Sequence, residues 1–290
     1  MKVNRLFNDH QVLSFELFPP RQRTSDEDYR RIDETISAVS ALAPDFVSVT
    51  LHTGVQDQRR LTLALADRIQ HQYGLPAVAH LPAAQLTTAE VDDLLDAFKA
   101  NGIENILALR GDLPAGGRVA RDFPHASDLI RHIHEYSDFN VIAACYPETH
   151  PEALSPEADL RHLKEKVAAG AAQLISQLFF DNHVFYDFVA RARAVGITVP
   201  IEAGIMPVLS QHQIDRMART SGVSLPEKFL SMMDHYAGRP EAMRDAGIAY
   251  AIDQIVDLMV HGVDGIHLYT MDNPTVARRI VEATRALVRQ

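Results

Sequence analysis

Ile106-Leu107-Ala108-Leu109-Arg110-Gly111-Asp112-Leu113-Pro114 is the stretch that says most about the fold of this chain. Its apolar first half predicts a buried strand, and the Arg-Gly-Asp turn before Pro114 predicts the carboxyl end of that strand. Charged residues at such ends are typical of sites in α/β proteins, because the packed core stops there and a cavity begins. An earlier strand, Val12–Leu17, carries Glu16 near its end, where an unpaired buried carboxylate would be costly. Together the two strand ends predict a functional site.

Strand-like runs and amphipathic patterns alternate along the chain with a period of roughly 30 residues, the size of one strand–helix–strand unit. The predicted strands are Val12–Leu17, Phe46–Thr50, Ala77–Leu81, Ile106–Leu109, Val141–Tyr146, Leu174–Phe180, Val199–Ile205 and Ile266–Tyr269. The predicted helices are Asp26–Leu42, Leu61–Tyr73, Thr88–Asn101, Ala126–Tyr136, Glu157–Ala169, His183–Val195, Gln211–Ser221, Glu241–His261 and Pro274–Val288.

This order predicts an α/β protein, a (β/α)8 TIM barrel with extra helices, in which residues 1–290 form a single barrel domain. The insertion Gly222–Pro240, between the seventh and eighth strands, predicts a short extra helix over one end. A doubly wound open sheet is the alternative. No Gly-x-Gly-x-x-Gly follows the first strand, which argues against a dinucleotide-binding sheet.

Composition excludes several classes of function. The chain has a formal net charge of -10, which argues against nucleic-acid binding because a phosphate backbone would be repelled. Cys145 is the only cysteine, so an internal disulfide and a thiolate metal cluster are excluded, and its apolar strand predicts a buried, inert thiol. The chain has no signal-peptide pattern and no long apolar run, so we expect a cytoplasmic protein that does not enter the membrane.

In a barrel, the carboxyl ends of all eight strands face one cavity. No three-residue His, Asp or Glu cluster has metal-ligand spacing, and no Gly-x-Ser-x-Gly elbow occurs, so hydrolytic metal chemistry and covalent acyl chemistry are disfavoured. General acid–base work beside an organic ligand or cofactor remains. The polar and apolar residues expected at the strand ends are Glu16, Thr50, His80, Arg110, Asp112, Tyr146, His150, Gln177, Asp181, Met206 and Tyr269.

At these residues the chain resembles the methylenetetrahydrofolate reductases, flavin-dependent barrel enzymes of one-carbon metabolism. The resemblance extends from Ser14 to about Asn273, and the order and spacing of its motifs are specific where each alone would be weak. The motifs are Ser14-Phe15-Glu16-Leu17-Phe18-Pro19-Pro20, Phe46-Val47-Ser48-Val49-Thr50, Ala79-His80-Leu81, Ala108–Pro114, Tyr146-Pro147-Glu148-Thr149-His150-Pro151-Glu152-Ala153, Gln177-Leu178-Phe179-Phe180-Asp181 and Gly204-Ile205-Met206-Pro207.

The resemblance implies reduction of 5,10-methylenetetrahydrofolate to 5-methyltetrahydrofolate, a step toward methionine biosynthesis. In this scheme NADH or NADPH reduces bound FAD and departs, and the folate then takes the same place. A general acid protonates N10 of the folate, its five-membered ring opens to a 5-iminium cation, and hydride reaches that carbon. The resemblance also implies a homo-oligomer.

Three residues match the reacting positions of the family. Glu16 matches the general acid, and its apolar neighbours favour the protonated form; a structural salt bridge is the alternative. Asp112 matches the residue that contacts the pterin near the flavin, although Asp is also common in turns. Gln177 matches the residue that contacts pterin or nicotinamide, with a backbone-bonded amide as the alternative. Gln213 and Tyr269 complete the expected substrate contacts.

The resemblance assigns twelve cofactor contacts. Arg110 and Lys166 would supply positive charge, and Gly111 would let the backbone approach the flavin ring. Asp159 and His162 would lie on one helix face, within reach of ribose or phosphate. The full set is Thr50, His80, Arg110, Gly111, Asp112, Ala126, Tyr146, His150, Ala153, Asp159, His162 and Lys166.

The chain also departs from the family pattern. Leu51 replaces an aromatic residue, Glu165 and His162 alter the expected phosphate contacts, and Asn273 replaces an arginine. These changes predict weak retention of FAD. Two further functions stay open at this point: a flavin-free reductase in which nicotinamide reduces the folate directly, and a pterin-binding barrel that transfers a methyl group without redox chemistry.

Overall fold

The eight strands pair in parallel around a closed barrel in the order β1 to β8, with β8 returning to β1. The computed structural model describes residues 1–19, 26–51, 56–111, 122–210, 212–214 and 222–288. Closure excludes the open doubly wound sheet and confirms the predicted TIM barrel. The strands are β1 Val12–Leu17, β2 Phe46–Val49, β3 Ala77–Pro82, β4 Asn105–Leu109, β5 Asn140–Cys145, β6 Gln173–Ser176, β7 Ile201–Ile205 and β8 Gly265–Tyr269. That residues 1–290 make one domain stays a prediction.

Helices follow the strands around the outside. A 3-10 helix, Val3–Asn8, precedes β1. The helices are α1 Asp26–Ser40, α2 Gln56–Gln72, α3 Thr88–Ala100, α4 Ala126–Tyr136, α5 Pro156–Ala168, α6 Asn182–Ala194, α7 Glu227–His235, α8 Pro240–Val260 and α9 Pro274–Val288. α7 is the extra helix predicted for the insertion, whereas the helix predicted for Gln211–Ser221 lies largely outside the described residues.

Alternation along each strand separates two apolar layers. On β1, Leu13, Phe15 and Leu17 join the large cluster that packs the barrel against its helices. Val12 instead joins a smaller cluster inside the barrel, to which the 3-10 helix contributes Val3. Ser14 and Glu16 share the strand face of Val12 because side chains alternate with a period of two, so polar groups lie above this apolar plug.

β6 ends earlier than predicted, at Ser176 rather than Phe180. The apolar run continues beyond the strand because its side chains pack elsewhere. Leu178 and Phe180 belong to a third apolar cluster with Phe229 of α7, and the Phe180 and Phe229 rings stack at 4.5 Å. Apolar composition alone therefore overestimated the strand, since these residues bury without extended pairing.

Candidate active site

Glu16 lies inside the barrel near the carboxyl end of β1 and is only 7% exposed. Its Oε2 atom is 3.7 Å from Nε2 of His80 on β3 and 3.9 Å from Nε2 of His267 on β8. Both imidazoles are buried. The backbone carbonyl of Glu16 also accepts a hydrogen bond from the Thr270 hydroxyl at 2.7 Å. A carboxyl group flanked by two imidazoles can exchange a proton with them, which a purely structural salt bridge, the alternative for Glu16, would not require.

A chain of hydrogen bonds continues from His267 into the barrel. Nδ1 of His267 is 2.7 Å from the Ser14 hydroxyl, which donates to Oε1 of Glu202 at 2.6 Å. The other oxygen of Glu202 accepts from the Gln173 amide at 3.4 Å. Burial raises the pKa of the Glu202 carboxyl to about 7, against the lowering effects of His267, Ser14 and Gln173.

Two predicted cofactor residues come from the neighbouring strands: His80 of β3 faces Glu16, and Thr50 follows β2 and donates its backbone N–H to the Leu17 carbonyl at 3.1 Å. His80 is 5% exposed and Thr50 is 8% exposed. Oγ1 of Thr50 is buried and has no hydrogen-bond partner among the described residues. An unpaired buried hydroxyl is costly unless a ligand or water satisfies it, which favours a ligand position at the end of β2.

The end of β4 brings a cation to the same rim. Both terminal nitrogens of Arg110 bind the Glu152 carboxylate, one of them at 2.7 Å, and this guanidinium lowers the pKa of Glu152. Gly111 follows with φ +88°, and a Cβ placed on it would lie 2.8 Å from Cβ of Pro82. The backbone there is both left-handed and closely packed, a combination that favours glycine. Asp112 itself lies outside the described residues.

The β5 end and α5 form a small cavity with a buried amine. Lys166 donates to the Ala144 carbonyl at 3.0 Å, and desolvation lowers the pKa of its amine. Asp159 lines the same cavity and accepts from the His150 backbone at 2.9 Å. The rings of Tyr146 and His150 meet edge to face at 4.6 Å. A cation, an acceptor and an aromatic edge are therefore close together at the end of β5.

Three predicted substrate contacts have different settings. Gln177 is partly buried just beyond β6, where its side-chain oxygen accepts from the Leu178 backbone at 3.0 Å. Tyr269 donates to the Ser176 carbonyl at 2.8 Å, and burial raises the pKa of its phenol. Gln213 accepts from the Leu209 backbone at 2.7 Å and so stabilises a local turn.

Comparison with known proteins agrees with this geometry. The family model described as methylenetetrahydrofolate reductase matches residues 2–285. This chain belongs to the methylenetetrahydrofolate reductase family. A 5,10-methylenetetrahydrofolate reductase of Pectobacterium carotovorum is 36% identical over 268 residues, with 92% of this chain and 88% of that protein covered. A probable NADH-type reductase of rice is 36% identical over 276 residues, or 90% of this chain, but the chain spans about half of it, 46%.

Solved structures support the fold of this methylenetetrahydrofolate reductase family member. A protein from Clostridium thermocellum, described as binding two copies of 5-methyl-5,6,7,8-tetrahydrofolic acid, superposes with a TM-score of 0.66. The alignment covers 99% of each chain at 14% identity, so the likeness concerns the barrel alone.

The residues present fit the flavin that the sequence resemblance implies. The orphaned Thr50 hydroxyl offers a donor or acceptor, while Arg110 and Lys166 offer cations near the ends of β4 and β5. The closely packed Gly111 brings backbone to the rim without a side chain. A polar, cation-bearing rim above an apolar barrel suits a ligand with a flat ring and phosphates.

Three other predicted cofactor residues lie in α4, in α5 or in the turn before α5. Ala126 is the first residue of α4 and is buried. Ala153 closes a turn by donating its backbone N–H to the His150 carbonyl at 2.9 Å. His162 is exposed and pairs with Glu165 at 3.2 Å, so neither is drawn into the cavity around Lys166.

Sequence reasoning missed the interior network of Ser14, His267 and Glu202. Each of these residues lies inside a strand between apolar neighbours, so a search for polar residues at strand ends does not find it. The alternation of side chains along a strand is the signal that could have found them. Glu202 lies between Ile201 and Ala203, so alternation predicts that its side chain points into the barrel. Which of these residues come into contact depends on the register between strands. That register is a property of the folded barrel and cannot be read from the sequence.

Proposed function

We propose that the protein reduces 5,10-methylenetetrahydrofolate to 5-methyltetrahydrofolate with electrons from NADH or NADPH. The observation that carries this proposal is Glu16, buried at the barrel mouth beside two imidazoles in a member of the reductase family. The reduction needs one proton as well as hydride, and Glu16 is the carboxyl group best placed to deliver it.

Glu16 acts as the general acid in this proposal. Its carboxyl proton passes to N10 of the folate while the bond between N10 and the methylene carbon breaks. The five-membered ring opens to the 5-iminium cation, and Glu16 is left as a carboxylate. His80 and His267 lie within 4 Å of that carboxylate, and a hydrogen bond from either ring would stabilise the negative charge formed there.

FAD bound at the rim would supply the redox chemistry, accepting hydride from the nicotinamide and passing it to the folate. Thr50, His80, Arg110, Gly111 and Lys166 would hold it, from their positions at the ends of β2 to β5. Arg110 and Lys166 would balance the charge of phosphate groups or of the reduced ring. Asp112 would orient the pterin in this scheme.

Gln177 and Tyr269 would orient the substrate. Gln177 has its side-chain oxygen on the Leu178 backbone, so its amide nitrogen is the group that would donate to pterin or nicotinamide. Tyr269 stands beside the acid, with its ring edge on to that of His267 at 5.1 Å. Its phenol is held by the Ser176 carbonyl, so it would shape the cavity and exclude water rather than move a proton.

A flavin-free reductase is the second candidate, and the surface pair of His162 and Glu165 favours it. These two exposed residues bind each other, and Lys166, in the same helix, lines the cavity. Fewer phosphate contacts would weaken FAD binding without touching Glu16. In that case nicotinamide would transfer hydride directly to the folate.

The absorption spectrum of the purified protein tests both candidates. We expect flavin bands that bleach with anaerobic NADH and return when methylenetetrahydrofolate is added. A colourless protein that oxidises NADH only with the folate, and gains nothing from added FAD, would select the flavin-free reductase. A protein that consumes no NADH under either condition would exclude both and leave the non-redox pterin-binding barrel.

We also propose that the protein works in the cytoplasm as a homo-oligomer. No described helix has the length and apolarity to cross a membrane. The described residues contain no group of three or more His, Cys, Asp or Glu side chains placed to hold a metal ion. Sedimentation of the holoenzyme tests the oligomer.

A further inference from the structure

Glu202, a fully buried carboxyl group on β7, has no part in the function proposed above. It is 0% exposed and lies in the barrel interior, below Glu16. The groups that face it come from several strands: the Ser14 hydroxyl, the Gln173 amide, the His267 imidazole and, more remotely, the Asp45 carboxylate. Gly265 packs so closely that a Cβ there would lie 3.0 Å from Cγ of Glu202. A carboxylate that is walled in this way cannot reach a ligand directly.

Ser14 links this group to the imidazole that faces Glu16. Its oxygen lies 2.6 Å from Glu202 and 2.7 Å from Nδ1 of His267. A hydroxyl has one proton to donate, so the two bonds must point in the same sense along the chain. Either His267 donates to Ser14 and Ser14 to Glu202, or Glu202 donates to Ser14 and Ser14 to His267.

These two senses correspond to two tautomers of His267. When Glu202 is ionised, Nδ1 of His267 carries the proton and Nε2 presents a lone pair toward Glu16. When Glu202 is protonated, Nδ1 accepts from Ser14 and Nε2 carries the proton. Nε2 has no hydrogen-bond partner among the described residues and lies 3.9 Å from Glu16, so closing the last link takes a movement of about 1 Å.

We propose that Glu16 and Glu202 share one proton through His267 and Ser14, so that Glu202 is a positioning residue for the acid. The inference rests on Glu16 being the general acid. Before the reaction both carboxyl groups carry a proton, and the folate takes the proton of Glu16. The proton that remains on the pair is the shared one: the Nε2 proton of His267 moves to Glu16, the Ser14 proton moves to Nδ1, and the Glu202 proton moves to Ser14. One proton leaves Glu202, one arrives at Glu16, and the imidazole stays neutral. The relay thus recharges the acid while bound ligand separates it from water, and solvent refills Glu202 through Glu16 when the site opens.

Burial supports this arrangement because it raises the pKa of Glu202 into the neutral range. The groups facing Glu16 are His80 from β3 and both His267 and Tyr269 from β8. An ionised Glu202 turns the lone pair of Nε2 toward Glu16 and favours its protonated form, and a protonated Glu202 does the reverse.

The variant Glu202→Gln distinguishes the two senses. Because the Gln173 amide donates to one side-chain oxygen of residue 202, the carbonyl of the new glutamine faces Gln173 and its NH2 faces Ser14. The NH2 then donates to Ser14 at every pH and mimics protonated Glu202. The matched control is Glu282→Gln, which removes an exposed carboxylate from α9.

Nitrogen-15 NMR of the imidazole of His267 gives the first readout, and it needs no folate. At pH 8 we expect the Nδ1–H tautomer in the wild-type protein and in Glu282→Gln, and the Nε2–H tautomer in Glu202→Gln. Between pH 8 and pH 6 the wild-type protein should move toward Nε2–H. One unchanging tautomer across that range, or an imidazolium throughout it, overturns the proposal even if the variant does not fold.

The pH profile of folate reduction gives the second readout. Loss of the ionised Glu202 should move the alkaline limb of Glu202→Gln to lower pH by about one unit, while reduction by nicotinamide is unchanged. A variant that only loosened the fold would lower the rate without moving this limb. If the tautomer switches but the limb stays, the assignment of Glu16 as the acid is wrong and the shared proton stands. If neither changes, the relay is wrong.

Discussion

Glu16 is held in place by contacts from several strands. Its carboxyl group is buried and faces two imidazoles, one from β3 and one from β8. Its backbone carbonyl accepts a hydrogen bond from the Thr270 hydroxyl. A side chain held from several directions keeps its geometry while its proton moves, which general acid catalysis requires.

Glu16→Gln tests the acid role. The substitution keeps the size of the side chain and removes the transferable proton, so we expect folate reduction to fall about 100-fold or more while NADH oxidation with an artificial acceptor is retained. Rapid-reaction absorbance of each half-reaction measures this. Equal loss in both half-reactions, or none in the folate step, would contradict the role; Glu282→Gln is the control.

Glu202 should leave a signature in the pH dependence of stability. Its folded pKa of about 7 lies above the ordinary 4.5, so the folded state binds more protons in that window. The stabilising contribution is complete below about pH 4.5 and is lost as the pH rises through about 7. Relative to Glu202→Gln, the wild-type protein should therefore lose up to about 3 kcal/mol of unfolding free energy between these pH values. Urea unfolding of both proteins across this range measures the difference, and parallel pH curves would refute it.

The register between neighbouring strands brings residues that are distant in sequence into contact. Ser14 of β1 lies level with His267 of β8, and Gly204 of β7 also lies level with His267. At Gly204 a Cβ would come within 2.3 Å of the Ser176 carbonyl and 2.9 Å of the Tyr269 ring. Because Gly204 has no side chain, Tyr269 can pack across β7, next to the proposed acid Glu16.

Gly111 offers a test of the β4 end with a close control. Gly111→Ala and Gly196→Ala impose alanine at nearly the same φ, +88° and +87°, so each should cost about 1–2 kcal/mol of backbone strain. Only at Gly111 does the new methyl group meet Pro82, at 2.8 Å, while Gly196 has open space. We expect Gly111→Ala to lose more stability and to weaken FAD binding at least tenfold. Calorimetry and flavin titration compare the two variants; equal effects would show that the β4 end is not part of the cofactor site.

At the scale of the whole molecule, the barrel separates stability from chemistry. The 3-10 helix and the inner apolar cluster close the amino-terminal end of the barrel. The third apolar cluster, which includes α7, packs at the carboxyl end of β6 and β7. A ligand at the open end should add stability by mass action, since it binds the folded chain alone.

Flavin addition tests this at the level of the molecule. With the altered phosphate contacts at Glu165 and His162, we expect the purified protein to contain less than one FAD per chain. Added FAD at about 100 times its Kd should contribute about 2.7 kcal/mol and raise the Tm by several degrees. Riboflavin, which lacks the phosphates, is the matched control and should raise it less. A full complement of tightly held flavin would refute weak retention, and an unchanged Tm with an empty site would refute FAD binding.

Much of the architecture and part of the site could be predicted from the chain alone. Period-two and helical patterns are local properties, so the eight strands were located within a few residues, and β1 with its Glu16 needed no tertiary information. Thr87 and Glu90 form a capping box at the start of α3, and their spacing of three residues is the usual sequence signal for one. The buried Cys145 follows equally from its apolar neighbours, and burial raises the pKa of its thiol.

Closure and interior contacts depended on the tertiary structure. An alternation of strands and helices is compatible with an open sheet or a barrel until β8 pairs with β1. The same closure brings Ser14 within 2.7 Å of His267 and 2.6 Å of Glu202, residues 253 and 188 positions away. Local patterns determined which side chains face inward, because alternation along a strand is set by the backbone. Only the closed barrel decided which inward groups share a proton, because that depends on register and distance between strands far apart in sequence.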